Sequence, residues 1–244
     1  MGYRGASVYD QGDFFSRYMA RRHRKESPNN AMEKPVIMES LGDIKGAHIL
    51  DLGCGDAAWA SELYEKGCVF YEGVEGSENM VEAAWKEVSP FNAVIHHASL
   101  EELDFREASY DFIVSRMVLH YIEELDAVLQ NIHEALKVGG RLIFSVQHPV
   151  LTSSTESAFQ TGRRTNWIVD DYFHQGERRE PWMDKEVIKY HRTLEEYFKL
   201  LLKAGFRIHD LREGEPGKEN FDSDEELKRR QRIPLFLIFS CEKI

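Results

Sequence analysis

The sequence predicts an α/β protein built on a mostly parallel sheet with helices on both faces. Three observations lead there. From residue 47 onward, short apolar runs alternate with amphipathic stretches of helical period, the rhythm of successive βα units. The first of these runs ends in a two-glycine turn, Gly53 and Gly55, directly before a helical pattern. The chain has 244 residues, 42% apolar and 30% charged, which suits one large domain or one domain with an insertion and is too apolar for disorder.

Taken in order, residues 11–25 and 30–41 read as two helices, the second ending near Gly42, and residues 1–44 form a helical cap before the sheet. The core, 45–148, opens with a strand over 48–52 and a helix through 57–65. A second strand covers 69–75. Ser77 then caps a helix with Met80, Val81, Ala84 and Val88 on one face. Strands over 93–97 and 112–115 follow. The helix 123–136 carries Leu125, Val128, Leu129, Ile132 and Leu136 on one stripe and stops at Gly139-Gly140, before a fifth strand over 141–147. Residues 149–190 break the rhythm and read as an insertion or lid over the substrate. The part 191–244 returns to the sheet. Thr193-Leu-Glu-Glu196 is a capping box opening a helix closed at Gly205, and strands over 206–212 and 234–241 bring the total to seven.

The chemistry concentrates at Asp51-Leu-Gly-Cys-Gly-Asp56. Its glycines let backbone approach a ligand closely, and the following helix offers unpaired N–H groups at its start. Glu75, twenty residues past Gly55, ends the second strand, where a carboxylate can accept both hydroxyls of an adenosine ribose. This arrangement resembles class I S-adenosylmethionine-dependent methyltransferases, in particular the small bacterial enzymes acting on small molecules. Tyr110-Asp-Phe-Ile-Val-Ser115 is similar to that family's fourth strand, and Leu136-Lys-Val-Gly-Gly-Arg-Leu-Ile-Phe144 to its turn into the fifth. The resemblance implies a Rossmann-like sheet whose last strand is antiparallel, with S-adenosylmethionine as cofactor and S-adenosylhomocysteine as product. It further implies that Asp51, Gly53 and Gly55 surround the methionine moiety, that Glu75 holds the ribose, and that Ser77 and Met80 lie beside the adenine. Ser99 and Leu100 would read the adenine edge; many relatives carry Asp where this chain has Ser99. Ser115 would face the sulfonium, and Tyr9, Tyr18 and Arg22 resemble cap residues that close over the cofactor.

Two rival readings are open at this point. The same glycines fit Gly-x-Gly-x-x-Ala, a degenerate dinucleotide fingerprint of NAD(P)-dependent oxidoreductases, although Asp51 would set like charge against a pyrophosphate. A non-catalytic S-adenosylmethionine-binding protein is the other. For methyl transfer, rate comes mainly from aligning donor and acceptor and excluding water. A base matters only if the acceptor must lose a proton. His120 and Tyr121 after the fourth strand, and His148 after the fifth, fall at the carboxyl ends where ligands sit in open sheets, and are the candidate catalytic residues. In the insertion, Trp167, Tyr172, Trp182 and His191 are candidate acceptor contacts, with Arg178 and Arg179 nearby. An amphipathic cover packed on the sheet accounts for the same residues.

Charge and cysteines narrow the partners. Thirty-one basic against 42 acidic side chains give −11 at pH 7, which disfavours nucleic acid and leaves a small-molecule acceptor. The run Arg21-Arg22-His23-Arg24-Lys25 reads as a solvated helix face. No amino-methylating DNA motif (Asn-Pro-Pro-Tyr or Asp-Pro-Pro-Tyr) and no metal-ligand spacing occurs. Three cysteines at unrelated positions indicate neither disulfides nor zinc and point to the cytoplasm. The longest apolar stretch, 233–241, is less than half of the roughly 20 residues of a membrane span. A monomer and a homodimer are both compatible with this sequence.

Overall fold

The computed structural model describes residues 2–160 and 166–244. The N-terminal segment holds a two-residue strand β1 (Tyr3–Arg4), a 3-10 turn (Gly5–Asp10) and helix α1 (Phe14–Arg22). The stretch expected as one helix over 30–41 is two pieces: a π-helical turn (Asn29–Glu33) runs into α2 (Lys34–Leu41), with Pro35, which has no N–H to donate, next to the junction. Next come β2 (His48–Leu52), α3 (Ala60–Glu65), β3 (Phe70–Glu75), α4 (Glu78–Val88), β4 (Ala93–His97), β5 (Tyr110–Arg116), α5 (Leu125–Ala135) and β6 (Leu136–Gln147). The 149–190 segment carries α6 (Pro149–Thr152), α7 (Glu156–Phe159) and a hairpin of β7 (Gly176–Trp182) and β8 (Lys185–His191). Then follow α8 (Leu194–Lys203), β9 (Phe206–Arg212), α9 (Asp224–Arg230) and β10 (Phe236–Lys243).

Seven strands form one sheet in the order β4-β3-β2-β5-β6-β10-β9, in which β10 runs antiparallel to both neighbours. Successive side chains divide between the two faces, as pleating demands. Ile49, Val114, Ile143 and Ile238 join a core with α2, α3 and α4, while Leu50, Ile113, Leu142 and Leu237 join one with α5 and α8. Ser77 and Thr193 cap α4 and α8 as expected, accepting from the N–H groups of Met80 and Glu196 at 3.2 and 3.1 Å.

Several boundaries and one element differ from the sequence expectation. Strands β5 (Tyr110–Arg116) and β6 (Leu136–Gln147) are longer than the expected 112–115 and 141–147 because Tyr110 and Leu136 already pair. Helix α1 is shorter than 11–25, and β10 is shifted by two residues from 234–241. The helix after the glycine turn starts at Ala60 rather than Ala57, because Ala57 is held at φ +53° and cannot join a right-handed helix. Helix α5 begins at Leu125 rather than residue 123 and stops at Ala135, before the Gly139-Gly140 pair, since Leu136 already pairs with Tyr110 across the sheet. The insertion holds regular structure: β7 and β8 form a hairpin, and β1 adds parallel to β8, giving a second sheet of order β1-β8-β7. The N-terminal segment is thus helical only in part. Its first strand is sewn to the insertion.

Candidate active site

The carboxyl ends of β2, β3, β5 and β6 meet at one edge of the sheet, and the glycine turn lies among them. Gly53 sits at φ +75°, and a Cβ there would lie 2.2 Å from Val118 Cγ2. The N–H groups of Gly53 and Cys54 both donate to the Val74 carbonyl, at 2.8 and 3.0 Å, locking the turn to β3. Gly55, at φ +59°, donates its N–H to Glu75 Oε2 at 2.9 Å, and Ser77 N–H donates to Oε1 of the same carboxylate at 2.9 Å. Glu75 is buried, and burial pushes its carboxyl above the ordinary value against the pull of the N–H groups of Ser77, Gly55 and Gly76.

Asp51 is buried on β2, two residues before Gly53. Its Oδ2 accepts from Trp59 Nε1 at 2.6 Å and from the Tyr71 hydroxyl at 2.7 Å. Its Oδ1 is buried without a hydrogen-bond partner among the described residues. Desolvation raises its pKa, opposed by those two donors and by the charges of Arg116 and Arg22. An acceptor oxygen that is buried and unmet is a costly feature unless something donates to it.

The N-terminal segment closes over this edge. Asp10 Oδ1 accepts from the Ser77 hydroxyl at 2.6 Å and from Asn79 N–H at 3.1 Å, and Ala6 lies so close to Gly76 that a Cβ there would be 3.0 Å from its methyl. Arg22 Nε donates to Asp56 Oδ1 at 3.3 Å, and Arg22 also donates to the Tyr18 hydroxyl at 3.4 Å. The basic run is therefore not wholly a solvated face, since Arg22 and His23 both pair with the buried Asp56. Tyr9 and Tyr18 contact each other at 4.7 Å between ring centroids, and both pack with Phe14, Tyr121, Trp182 and Met183 around Val8 and Val187.

The other expected site residues divide clearly. Met80 and Leu100 are buried beside this edge, and Ser99 is half-buried, its carbonyl accepting from Glu102 N–H. The Ser115 hydroxyl donates to the Leu52 carbonyl at 3.0 Å, tying β5 to β2. His120 is buried; its Nδ1 accepts from Gln147 N–H at 3.4 Å, and burial, helped by Lys189 and Arg192, keeps the ring neutral by lowering its pKa far below the ordinary value. His148 has both ring nitrogens engaged. Nδ1 accepts from Val150 N–H at 3.2 Å and Nε2 meets Glu213 at 2.9 Å, so the ring caps α6. His191 is likewise occupied, by Thr152 Oγ1 at 2.7 Å and the Tyr172 carbonyl at 2.9 Å. The Tyr172 hydroxyl accepts from Leu194 N–H at 3.3 Å, which places that ring at the start of α8, and Trp167 stands next to Ile168, whose N–H is held by Ser157. Of the expected acceptor contacts, Trp182 is brought together with the cap aromatics, as is the catalytic candidate Tyr121, while Tyr172 and His191 pack elsewhere.

Sequence reasoning missed two buried charge clusters. Glu33, on the π-helical turn, is fully buried; its Oε2 accepts from Arg116 at 2.6 and 3.2 Å and its Oε1 from the Ser145 hydroxyl at 2.5 Å. Lys189, on β8, donates to Gln147 Oε1 at 2.7 Å and Glu180 Oε2 at 2.8 Å. A π-helical turn leaves no mark in a periodic pattern, and lysine is normally a surface residue, so neither had a local signal. Among the described residues no group of three or more His, Cys, Asp or Glu is placed to hold a metal ion, and no helix is long and apolar enough to cross a membrane.

A mostly parallel seven-stranded sheet with one antiparallel strand, a glycine turn after its first long strand and an acid ending the next define the class I methyltransferase architecture. Comparison with known proteins agrees: residues 17–211 match the methyltransferase domain family, and the chain belongs to the S-adenosylmethionine-dependent methyltransferases. It is similar to an uncharacterised protein of Haemophilus influenzae, 31% identical over 217 residues and 85% of each chain. It also resembles a demethylmenaquinone methyltransferase of Lactococcus lactis, 30% identical over 69% of each. Among solved structures, an S-adenosylmethionine-dependent methyltransferase from Mesorhizobium loti superposes with a TM-score of 0.81 at 30% identity, covering 89% of this chain and all of that one. The chain is accordingly an enzyme with S-adenosylmethionine as its cofactor.

Proposed function

We propose that the chain transfers the methyl group of S-adenosylmethionine to an N, O or C atom of a small-molecule acceptor. The observation that carries the assignment of the cofactor's place is the unmet Asp51 Oδ1 beside the Gly53 turn: a buried carboxylate oxygen lacking a donor fits the ammonium group of a methionine moiety. Glu75 holds the ribose with the lone pairs left over from its two backbone bonds, Met80 and Leu100 flank the adenine with Ser99 at its edge, and Tyr18 and Arg22 close the cap above. Ser77 and Gly55 act through Glu75, fixing its carboxylate toward the site.

The bound sulfonium supplies a methyl whose leaving group departs without protonation. The protein's share is orientation and exclusion of water. Tyr121 and Trp182 wall the acceptor side, and the N-terminal segment roofs it. His120 and His148 have no spare basic nitrogen, because in each ring one nitrogen accepts a backbone N–H and the other carries the proton. The acceptor atom therefore arrives without a proton to lose to them.

The test is calorimetric titration with S-adenosylhomocysteine, with NADH as comparator and Glu75→Ala as control. Removing Glu75 unpairs the ribose hydroxyls and loosens the Gly55 and Ser77 N–H groups, weakening binding by about 1–3 kcal/mol, roughly 5- to 150-fold. Binding of NADH in place of the thioether, or equal affinity in the variant, overturns this reading.

A further inference from the structure

Strand β8 buries a cation beside the aromatic side chains that pack with the N-terminal segment. Lys189 is 4% exposed. Its Nζ has two oxygen partners, Gln147 at the end of β6 and Glu180 across the hairpin, which leaves the third of the three ammonium donors. The rings of Tyr121 and Trp182 lie with their centroids 5.8 and 5.7 Å from Nζ, and the Trp182 indole N–H is buried without a hydrogen-bond partner among the described residues. The third ammonium donor thus lies against two aromatic rings, one of which carries an indole N–H without a partner among the described residues. Burial works against the charge, but Tyr121 and Glu180 outweigh it and hold the Lys189 pKa above the ordinary lysine value, so the group stays protonated.

A tether between hairpin and sheet does not require this chemistry. Replacing a buried ion pair by packed apolar side chains is often neutral or stabilising. The neighbouring β8 residues Val187 and Ile188 already supply apolar cover. A cation flanked by aromatic faces and a spare indole N–H is suited to a flat ligand with a negatively charged oxygen. We propose that Lys189, oriented by Gln147 and Glu180 and flanked by Tyr121 and Trp182, binds the ionised oxygen of a planar acceptor, a carboxylate or phenolate on an aromatic ring. This rests on the methyltransferase reading above and specifies its substrate class. It also agrees with the engaged histidines, because an acceptor bound through an ionised group needs no base at that oxygen.

The experiment uses the whole chain saturated with S-adenosylhomocysteine. Three acid and amide pairs are titrated by calorimetry: benzoate with benzamide, 4-hydroxybenzoate with 4-hydroxybenzamide, and indole-3-carboxylate with indole-3-carboxamide. Cyclohexanecarboxylate serves as the non-planar anion. At least one aromatic acid is expected to bind tenfold or more tighter than its amide and than the alicyclic acid. Lys189→Met should abolish that preference while S-adenosylhomocysteine affinity stays within threefold. Acid and amide binding equally, an aromatic preference that survives Lys189→Met, or no binding of any acid at millimolar concentration overturns the proposal. If Lys189→Met does not fold, the acid-to-amide ratio of the unmodified protein decides, and Lys189→Arg, which keeps the charge, must retain it. Failure of S-adenosylhomocysteine itself to bind refutes the methyltransferase reading instead, so the two failures are distinct.

Discussion

Gly53→Ala isolates what the turn demands of its residue. At φ +75° an L side chain is strained by roughly 1–2 kcal/mol, the cost of the left-handed region. The new methyl would also lie 2.2 Å from Val118 Cγ2 and 2.9 Å from Cγ1, far inside the ~3.5–4 Å at which carbons attract, so Val118 must move. Overpacking of this kind costs about 1–3 kcal/mol. The sum, roughly 2–5 kcal/mol, lowers the melting temperature by about 4–20 °C in a chain of this size. Gly139→Ala supplies the reference: its φ is +77°, with nothing within 4 Å of an added Cβ, so it bears the backbone cost alone. Urea denaturation of the two variants, and of Gly53→Ala combined with Val118→Ala, separates the contributions. The double variant should recover about 1–3 kcal/mol relative to additivity. Equal stability of Gly53→Ala and Gly139→Ala, or strict additivity with Val118→Ala, refutes the steric account.

Asp51→Asn retains one oxygen for Trp59 and Tyr71 while turning an amide donor toward the proposed ammonium. Folding should persist and S-adenosylhomocysteine affinity fall about 10- to 150-fold by calorimetry, the worth of a charged hydrogen bond; unchanged affinity would remove Asp51 from the methionine site. Glu33→Ala strands Arg116 without its carboxylate and should cost about 3–5 kcal/mol in urea unfolding. A loss under about 1 kcal/mol would show that the pair is not sealed from water. His120 sets a pH dependence. Its folded pKa lies below the free value near 6.5, so as pH falls beneath that point the unfolded chain takes up a proton that the folded one refuses. Stability from this source is full above about pH 6.5 and declines in acid by up to ~1.4 kcal/mol per unit. His133, His148 and His191 are shifted the same way, so His120→Gln should reduce but not abolish the slope of unfolding free energy between about pH 5.5 and 6.5, and an unaltered slope would count against a neutral buried ring.

Much of this was legible because the signals were local and repeated. Alternating apolar runs mark a sheet whose two faces are both covered, and Ile49 and Leu50, adjacent in sequence, serve opposite cores. Ser77 and Thr193 announce helix starts through a hydroxyl three residues before an N–H that needs it. The hairpin was hidden for the opposite reason. Glu177, Arg178, Arg179 and Glu180 make β7 read as solvated loop, and β8 buries Val187 to His191 consecutively instead of in alternation. Lys189 becomes a site residue only when Gln147, 42 positions earlier, is folded beside it. The π-helical turn escaped because five residues cannot disclose whether their hydrogen bonds close over four positions or five.

The second sheet has an energetic corollary. Strand β1 leads straight into the turn whose Asp10 accepts from Ser77 and Asn79 at the edge proposed for the cofactor, and it is hydrogen-bonded to β8, which carries Lys189. A ligand that orders either end of this strap lowers the entropic cost of ordering the other, so donor and acceptor should bind with positive cooperativity. Thermodynamic linkage makes the effect mutual: whatever factor S-adenosylhomocysteine adds to acceptor affinity, the acceptor must return to S-adenosylhomocysteine.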